Sequence, residues 1–390
     1  MSRKYEITHP WLKFALDLAK APHTIWIGLG EAQSKCEHLA GSALSPEQSS
    51  ELHRVYLVKG ALATAAIEGN TLSEKEVADK LDGKLKLPPS KEYLGKEIDN
   101  ILAAANGLLH NLDNDDEKIT VADLCGFNAK ILDGLPLDED TKPGVIRQHN
   151  VVVGTYRGAP GEDVNYLLER LVDQLNEFPS PDGQEIIYGI LKAIYAHLYI
   201  AWIHPFGDGN GRTARLVEVK VLLHAGVPSS ASHLLSNHYN ETRSEYYRQL
   251  DHASKSGGDI FPFISYAVQG FVDQIRQQIE YVREKQLETA WINYVHSSFK
   301  GSNKASDNRK RDLLLEISRM EEPVPGGLVR WTPRPIMSLY DKKTARTMSR
   351  DINELLKMKL IVPVDGGYRA NKQILKSLLP IRKKREDTAA

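Results

Sequence analysis

In several stretches of this chain apolar residues recur at helical spacing, and each such stretch predicts an α-helix. The densest run, QEIIYGILKAIYAHLYIAWI (184–203), predicts a buried helix. ARLVEVKVLLHAG (214–226) repeats the pattern up to a glycine stop, which predicts a second helix after a short loop. Upstream, in LHRVYLVKGALATAAIEGNTLSEKEV (52–77), an Ala- and Leu-rich run ends at Glu68, Gly69 and Asn70, where glycine and asparagine terminate a helix. The clearest strand-like stretch is PGVIRQHNVVVGTYRGAP (143–160), whose clustered valines between Gly and Pro predict a hairpin. Helical spacing returns in RKRDLLLEISRM (309–320) and TARTMSRDINELLKMKLI (344–361). VPVDGGYRA (362–370) then sets a Gly-Gly turn between short β pieces.

At 390 residues the chain is long enough for two or three domains, and a hydrophobic fraction of 41% supports real cores. Nothing approaches eighteen uninterrupted apolar residues, and MSRKYEITHP lacks the apolar centre of a signal peptide. The expectation is a soluble, cytoplasmic protein without a membrane partner. Cys36 and Cys125 are too few for a disulfide framework and have no metal-site spacing, which agrees with a reducing compartment. The net charge of −1 hides an asymmetry: residues 291–390 hold 21 Lys and Arg against 11 Asp and Glu, a net of +10, which leaves −11 for the rest. HSSFKGSNKASDNRK (296–310) reads as a linker. The expected domains are a helical N-terminal region over 1–110, a core over 115–285 and a basic C-terminal domain over 296–390.

Chemistry concentrates in HPFGDGNGRTAR (204–215). His204 can take a proton near neutral pH, and Asp208 supplies a hard oxygen of the kind Mg²⁺ prefers beside phosphates. Gly209, Asn210 and Gly211 let backbone N–H groups turn toward an anion, and the helix that follows places its positive dipole end there. Arg212 and Arg215, three apart, share one face of its first turn and can grip phosphate oxygens.

With Pro205 and Phe206, these residues complete HPFx[DE]GNGRxxR, and the chain resembles the Fic family at all nine specified positions. The resemblance implies a mainly α-helical protein, with a Fic helical core, a β-hairpin flap and an N-terminal helical region, and transfer of AMP from ATP to a Tyr, Thr or Ser hydroxyl of a target protein. It gives His204 the role of general base and Asp208 that of holding Mg²⁺ (or Mn²⁺). The glycine-rich turn would cradle the α-phosphate, and Arg212 and Arg215 would steady the β- and γ-phosphates. Doc-type kinases of the same family carry lysine where Gly211 stands, so glycine favours AMP transfer over γ-phosphate transfer. Thr64, Glu68 and Gly69 fit the family's inhibitory motif [ST]xxxE[GN], which implies a salt bridge from Glu68 to Arg215 in the space the γ-phosphate needs. The hairpin matches the flap, with Val153, Gly154, Thr155 and Tyr156 beside the nucleotide and an open edge for the target. In SNHYNETRSEYYRQL (236–250), Tyr239 and Tyr246 are candidates for the adenine contact, although ordinary aromatic packing also explains tyrosines at this spacing.

The C-terminal order of two helices and a Gly-Gly hairpin suggests a winged helix-turn-helix, with 344–370 facing DNA through Thr344, Arg346, Thr347, Ser349 and Arg350. A docking domain with a solvated basic surface, including the RKKRED tail, fits the same pattern. The alternatives to a self-inhibited AMP-transferase are therefore a DNA-binding regulator with the core as nucleotide sensor, and an enzyme that removes AMP through the same site. A homodimer stays open at this level.

Overall fold

The computed structural model describes residues 2–112, 117–154, 156–301, 304–327, 332–341 and 343–376. The chain divides into two compact units, Met1–Val282 and Arg283–Ala390. In the first, α1 (Lys4–Thr8) precedes α2 (His23–Ala40), α3 (Pro46–Ile67), α4 (Glu74–Leu81), α5 (Glu92–Asn111) and α6 (Val121–Leu132). A minimal antiparallel hairpin, β1 (Val152–Val153) with β2 (Tyr156–Arg157), leads to α7 (Val164–Asn176), α8 (Glu185–Ile203), α9 (Asn210–His224), α10 (Leu234–Glu241) and α11 (Arg243–Lys255). The helix α12 (Phe261–Ser298) supplies residues to both units.

Several helix starts follow from local chemistry. Ser45 with Gln48, Ser73 with Glu76 and Thr120 with Asp123 form capping boxes at α3, α4 and α6, each worth about 1 kcal/mol. The end of α3 is equally local. Asn70 N–H donates to Ala65 O (3.1 Å) and Gly69 N–H to Ala66 O (3.0 Å), the bonding pair of a Schellman motif, with Gly69 at φ +103° supplying the reversal. Glu68 is thereby fixed as the last residue before the chain turns away.

The centre of the first unit is α8. It is long and apolar enough to cross a membrane, yet α2, α7 and α9 pack around it and most of its residues are buried. Gly189 allows α8 to approach the end of α9, because a Cβ there would collide with Ala225. Trp202 and Phe206, at the site end of this pair, are 2% and 0% exposed, each worth roughly 2–3 kcal/mol of burial.

The strand-like stretch 143–160 contributes only two residues to each strand, and the carbonyls of His149, Arg157 and Ala159 accept from side chains instead. Arg147 is the cause: its guanidinium donates to the carbonyls of His149, Ala159, Ile203 and His204, at 2.5–3.0 Å, and ties the segment to the end of α8 instead of to a ladder.

The second unit has its own core around Trp291, Leu313, Ile352, Leu355 and Ile361. It runs α13 (Ala305–Arg319), α14 (Arg334–Leu339), α15 (Ala345–Lys357), then the hairpin of β3 (Ile361–Val364) and β4 (Gly367–Ala370), with Val324 bridging Tyr368. Asp351, 1% exposed, accepts from Arg309 and from Tyr340, so α15 is locked to α13 and α14 by a satisfied buried charge. The RKKRED segment and Thr155 lie outside the described residues.

Candidate active site

The segment after α8 is shaped by two left-handed residues. His204 caps α8 at φ 53°, ψ 62°, a conformation rare for a residue with a side chain, and Gly209 caps the start of α9 at φ +76°. His204 is held there by its own N–H to Ile200 O (2.9 Å) and by Arg147 Nε on its carbonyl (2.6 Å). Asn210 staples the loop between: its Oδ1 accepts from Phe206 N–H (2.8 Å) and its Nδ2 donates to Phe206 O (2.9 Å). Asn128, on α6, donates to Asp208 O (2.9 Å) and so braces the loop from below. With its side chain committed to the loop, Asn210 offers only its backbone to a ligand. The N–H groups of Asn210, Gly211 and Arg212 open α9, and no side chain caps them among the described residues.

His204 lines a cavity of about 580 Å³ together with Glu68, Tyr156, Gly211, Tyr246 and Tyr247. Its Nδ1 faces the carbonyl of Ala201 at 3.4 Å, and a carbonyl can only accept, so Nδ1 carries the proton and the Nε2 lone pair is free. Burial is the main reason its pKa falls to about 4, with Arg147 adding to the effect and the Ala201 bond, Glu68 and Asp208 opposing it. The imidazole is therefore a neutral base at neutral pH.

Glu68 reaches into this cavity from the end of α3. Its Oε1 accepts from Arg215 Nη2 at 2.6 Å, and the same nitrogen donates to Thr64 O at 3.0 Å. Burial would raise the Glu68 pKa, but the Arg215 guanidinium outweighs it and holds the carboxyl below its ordinary value. Arg215 is 1% exposed, and its Nε and Nη1 have no hydrogen-bond partner among the described residues. Buried unsatisfied guanidinium donors are costly, and an anion at this place would satisfy them. Gly211 makes room for the pair, since a Cβ there would collide with Glu68 Oε1.

Glu68 also borders a second cavity of about 230 Å³ that contains Asp208, Arg212, Glu97 and Asn70. Arg212 Nη1 donates to Glu97 Oε1 (2.6 Å) and Nη2 to Asp208 Oδ1 (2.9 Å), and Glu97 Oε2 accepts from Asn70 Nδ2 (2.8 Å). Asp208 is half-exposed, and both of its side-chain hydrogen bonds use Oδ1, which leaves Oδ2 open. One open carboxylate oxygen suits Mg²⁺, which completes its shell with phosphates and water. No group of three or more His, Cys, Asp or Glu able to hold a metal occurs among the described residues.

On the flap, Val153, Gly154 and Tyr156 line the larger cavity. Gly154 turns at φ +57°, and Tyr156 OH donates to Trp202 O at 2.9 Å. Tyr239 does not reach the cavity. It is 0% exposed, its hydroxyl donates to Glu218 Oε1 (3.1 Å), and its ring stacks behind Tyr246 at 4.8 Å. The wall is made by Tyr246, whose hydroxyl bonds His197 Nε2 (2.8 Å), and by the half-exposed Tyr247. Arg147, Asn128 and Glu97 escape the sequence reading, because the partners they hold at the site, His204, Asp208 and Arg212, stand 57, 80 and 115 residues away and leave no local spacing.

Residues 118–222, which span α6 to most of α9, match the family model described as Fic/DOC family. The chain carries a Fic domain. It is 28% identical over 250 residues to protein adenylyltransferase fic-1 of Caenorhabditis elegans, a match covering 64% of this chain and 46% of that protein. It is 30% identical over 202 residues to protein adenylyltransferase Fic of Nematostella vectensis, covering 52% and 44% respectively. The chain thus spans about half the length of the curated relatives it matches. A Fic family protein from Desulfovibrio desulfuricans shares the fold with a TM-score of 0.54 at 20% identity, over 89% of this chain and 96% of that one. Glu68 and its helix lie before the matched residues, so the ion pair on Arg215 joins the matched segment to a separate part of the chain.

Proposed function

We propose that this chain transfers AMP from ATP to a hydroxyl group of a protein target and that Glu68 restrains it. The observation that carries the reading is a single cavity bordered by a neutral imidazole, a glycine-opened helix start and a carboxylate held on a buried arginine. In the reaction, the target hydroxyl oxygen attacks the α-phosphorus, the bond from that phosphorus to the bridging oxygen of the β-phosphate breaks, and pyrophosphate leaves. The hydroxyl proton passes to His204 Nε2, a role worth about 10²–10⁴ in rate. The N–H groups of Asn210, Gly211 and Arg212 hold phosphate oxygens, and Arg215 with Arg212 takes the terminal phosphates. Asp208 would hold Mg²⁺, which would supply charge neutralisation on the phosphates. Tyr246 and Tyr247 form the apolar wall for the base.

Glu68 stands between the larger cavity and the one holding Asp208 and Arg212. A triphosphate extending from one to the other must displace it, and its bond to Arg215 resists that displacement. The test is mass spectrometry of the full chain after incubation with ATP and Mg²⁺. Glu68→Gly is expected to gain an adenylyl group well above wild type, and adding His204→Ala to that variant abolishes the gain. Equal incorporation with and without His204 removes the base from the mechanism. Release of AMP from a previously modified protein, without incorporation from ATP, assigns the site to removal.

A second reading concerns the other unit, where Arg346, Ser349 and Arg350 are exposed on α15 in a segment of net charge +10. Their exposure beside a two-stranded hairpin supports a winged-helix face for a nucleic acid backbone.

A further inference from the structure

A cavity of about 620 Å³ lies beside the one that holds His204. Val151 and Val152 line it where Val153 and Gly154 line the other, and Tyr156 and Asp251 line both spaces, so an extended chain lying in this groove leads to the edge of the His204 cavity. One wall is Val151 and Val152 of the flap, with Val152 64% exposed. The opposite wall is the N-terminal segment, which is built in rather than draped. Tyr5 N–H donates to Asp163 Oδ2 at 2.8 Å, and His9 Nε2 donates to Arg157 O at 2.9 Å while its Nδ1 meets Thr8 Oγ1 at 2.8 Å. Trp11 packs on both His9 and Tyr156 and gives the groove an aromatic floor.

Charge distinguishes this groove from the surface around it. Lys4, Arg157 and Lys255 line it against one carboxylate, Asp251, although residues 1–290 carry 29 Lys and Arg against 40 Asp and Glu. Arg157 has no acidic partner among the described residues. Lys4 meets Glu162 at 3.5 Å and Lys255 meets Asp251 at 2.8 Å, both as surface pairs that contribute little and exchange readily.

Resting on the AMP-transfer reading, we propose that this groove docks an extended target segment bearing acidic side chains next to the hydroxyl to be modified. Arg157 and Lys255 take the carboxylates, Trp11 takes an apolar residue between them, and the hydroxyl passes the flap toward His204. An aromatic floor with cations also suits nucleic acid, but a groove that leads to a base for hydroxyl activation favours a protein chain.

The experiment uses the full chain carrying Glu68→Gly, ATP, Mg²⁺, and synthetic peptides with one Thr or Tyr flanked by Glu, Gln or Lys. Glu-flanked peptides are expected to exceed Gln-flanked ones in kcat/KM by about fivefold per carboxylate, the upper range of an exposed ion pair. Lys-flanked peptides should be the poorest. Arg157→Ala with Lys255→Ala removes the preference and leaves the rate on Gln-flanked peptides unchanged. Fluorescence anisotropy of a labelled Glu-rich peptide gives a readout independent of catalysis. Binding that is lost in the double variant, even with no AMP transferred to any peptide, supports the groove and sinks the transfer reading instead. Equal rates and equal binding for Glu- and Gln-flanked peptides overturn the proposal, as does a single-stranded DNA that binds through the same two cations while peptides do not.

Discussion

Burial holds the His204 imidazole down to about 4, and the consequence runs in two directions. For activity, the base is unprotonated at every pH well above that value, so the acid limb of kcat/KM in the Glu68→Gly variant should fall below pH 6.5, the ordinary histidine value. A limb at or above 6.5 contradicts a buried neutral base. For stability, the unfolded chain binds a proton on this histidine between pH 6.5 and 4 that the folded chain refuses. The stability contribution is therefore complete above 6.5 and lost as pH falls toward 4. His233, also pushed down to about 4 by burial, acts in the same window. Thermal unfolding from pH 7 to 4 is expected to show a falling Tm, with a shallower slope in His204→Ala.

The end of α3 works as an element because three consecutive residues do three different jobs. Glu68 holds Arg215, Gly69 makes the reversal, and Asn70 ties the turn to α5 through Leu94 O (3.0 Å) and Glu97. Glu97 in turn holds Arg212, so the end of α3 and the glycine-rich loop before α9 share one chain of hydrogen bonds. Asn70→Ala should loosen Glu68 and raise AMP incorporation severalfold, with no further increase when Glu68 is already glycine. An equal increase in both backgrounds would mean that Asn70 acts on catalysis directly. Glu97→Gln leaves a buried guanidinium with half its charge compensation, and a loss of about 3–5 kcal/mol is expected in denaturant unfolding.

At the scale of the whole molecule, charge separates two units that composition averages away. The basic unit pairs some of its cations internally, as Arg309 does with Asp351, while Arg346 and Arg350 stay exposed on α15. If α15 lies against phosphates, the full chain should shift the mobility of duplex DNA at low salt and release it as salt rises. Arg346→Ala with Arg350→Ala should then reduce the slope of log K against log salt by about one per lost phosphate contact. No shift at low salt with any duplex would leave protein docking as the use of this face.

The HPFGDGNGRTAR segment, the terminating Glu-Gly-Asn of α3 and the core helix α8 were legible in the sequence, because helix ends and periodicity are set by residues within a few positions of one another. The pairing of Glu68 with Arg215 was reachable only through resemblance, since the two stand 147 residues apart and neither carries a local sign of the other. Tertiary structure alone decided which tyrosine faces the cavity, that Arg147 replaces a longer ladder with carbonyl bonds to α8, and that Asn70, Glu97 and Arg212 form one network. Those choices depend on which distant groups meet when the helices pack, and a buried polar side chain takes its role from the partner that packing brings to it.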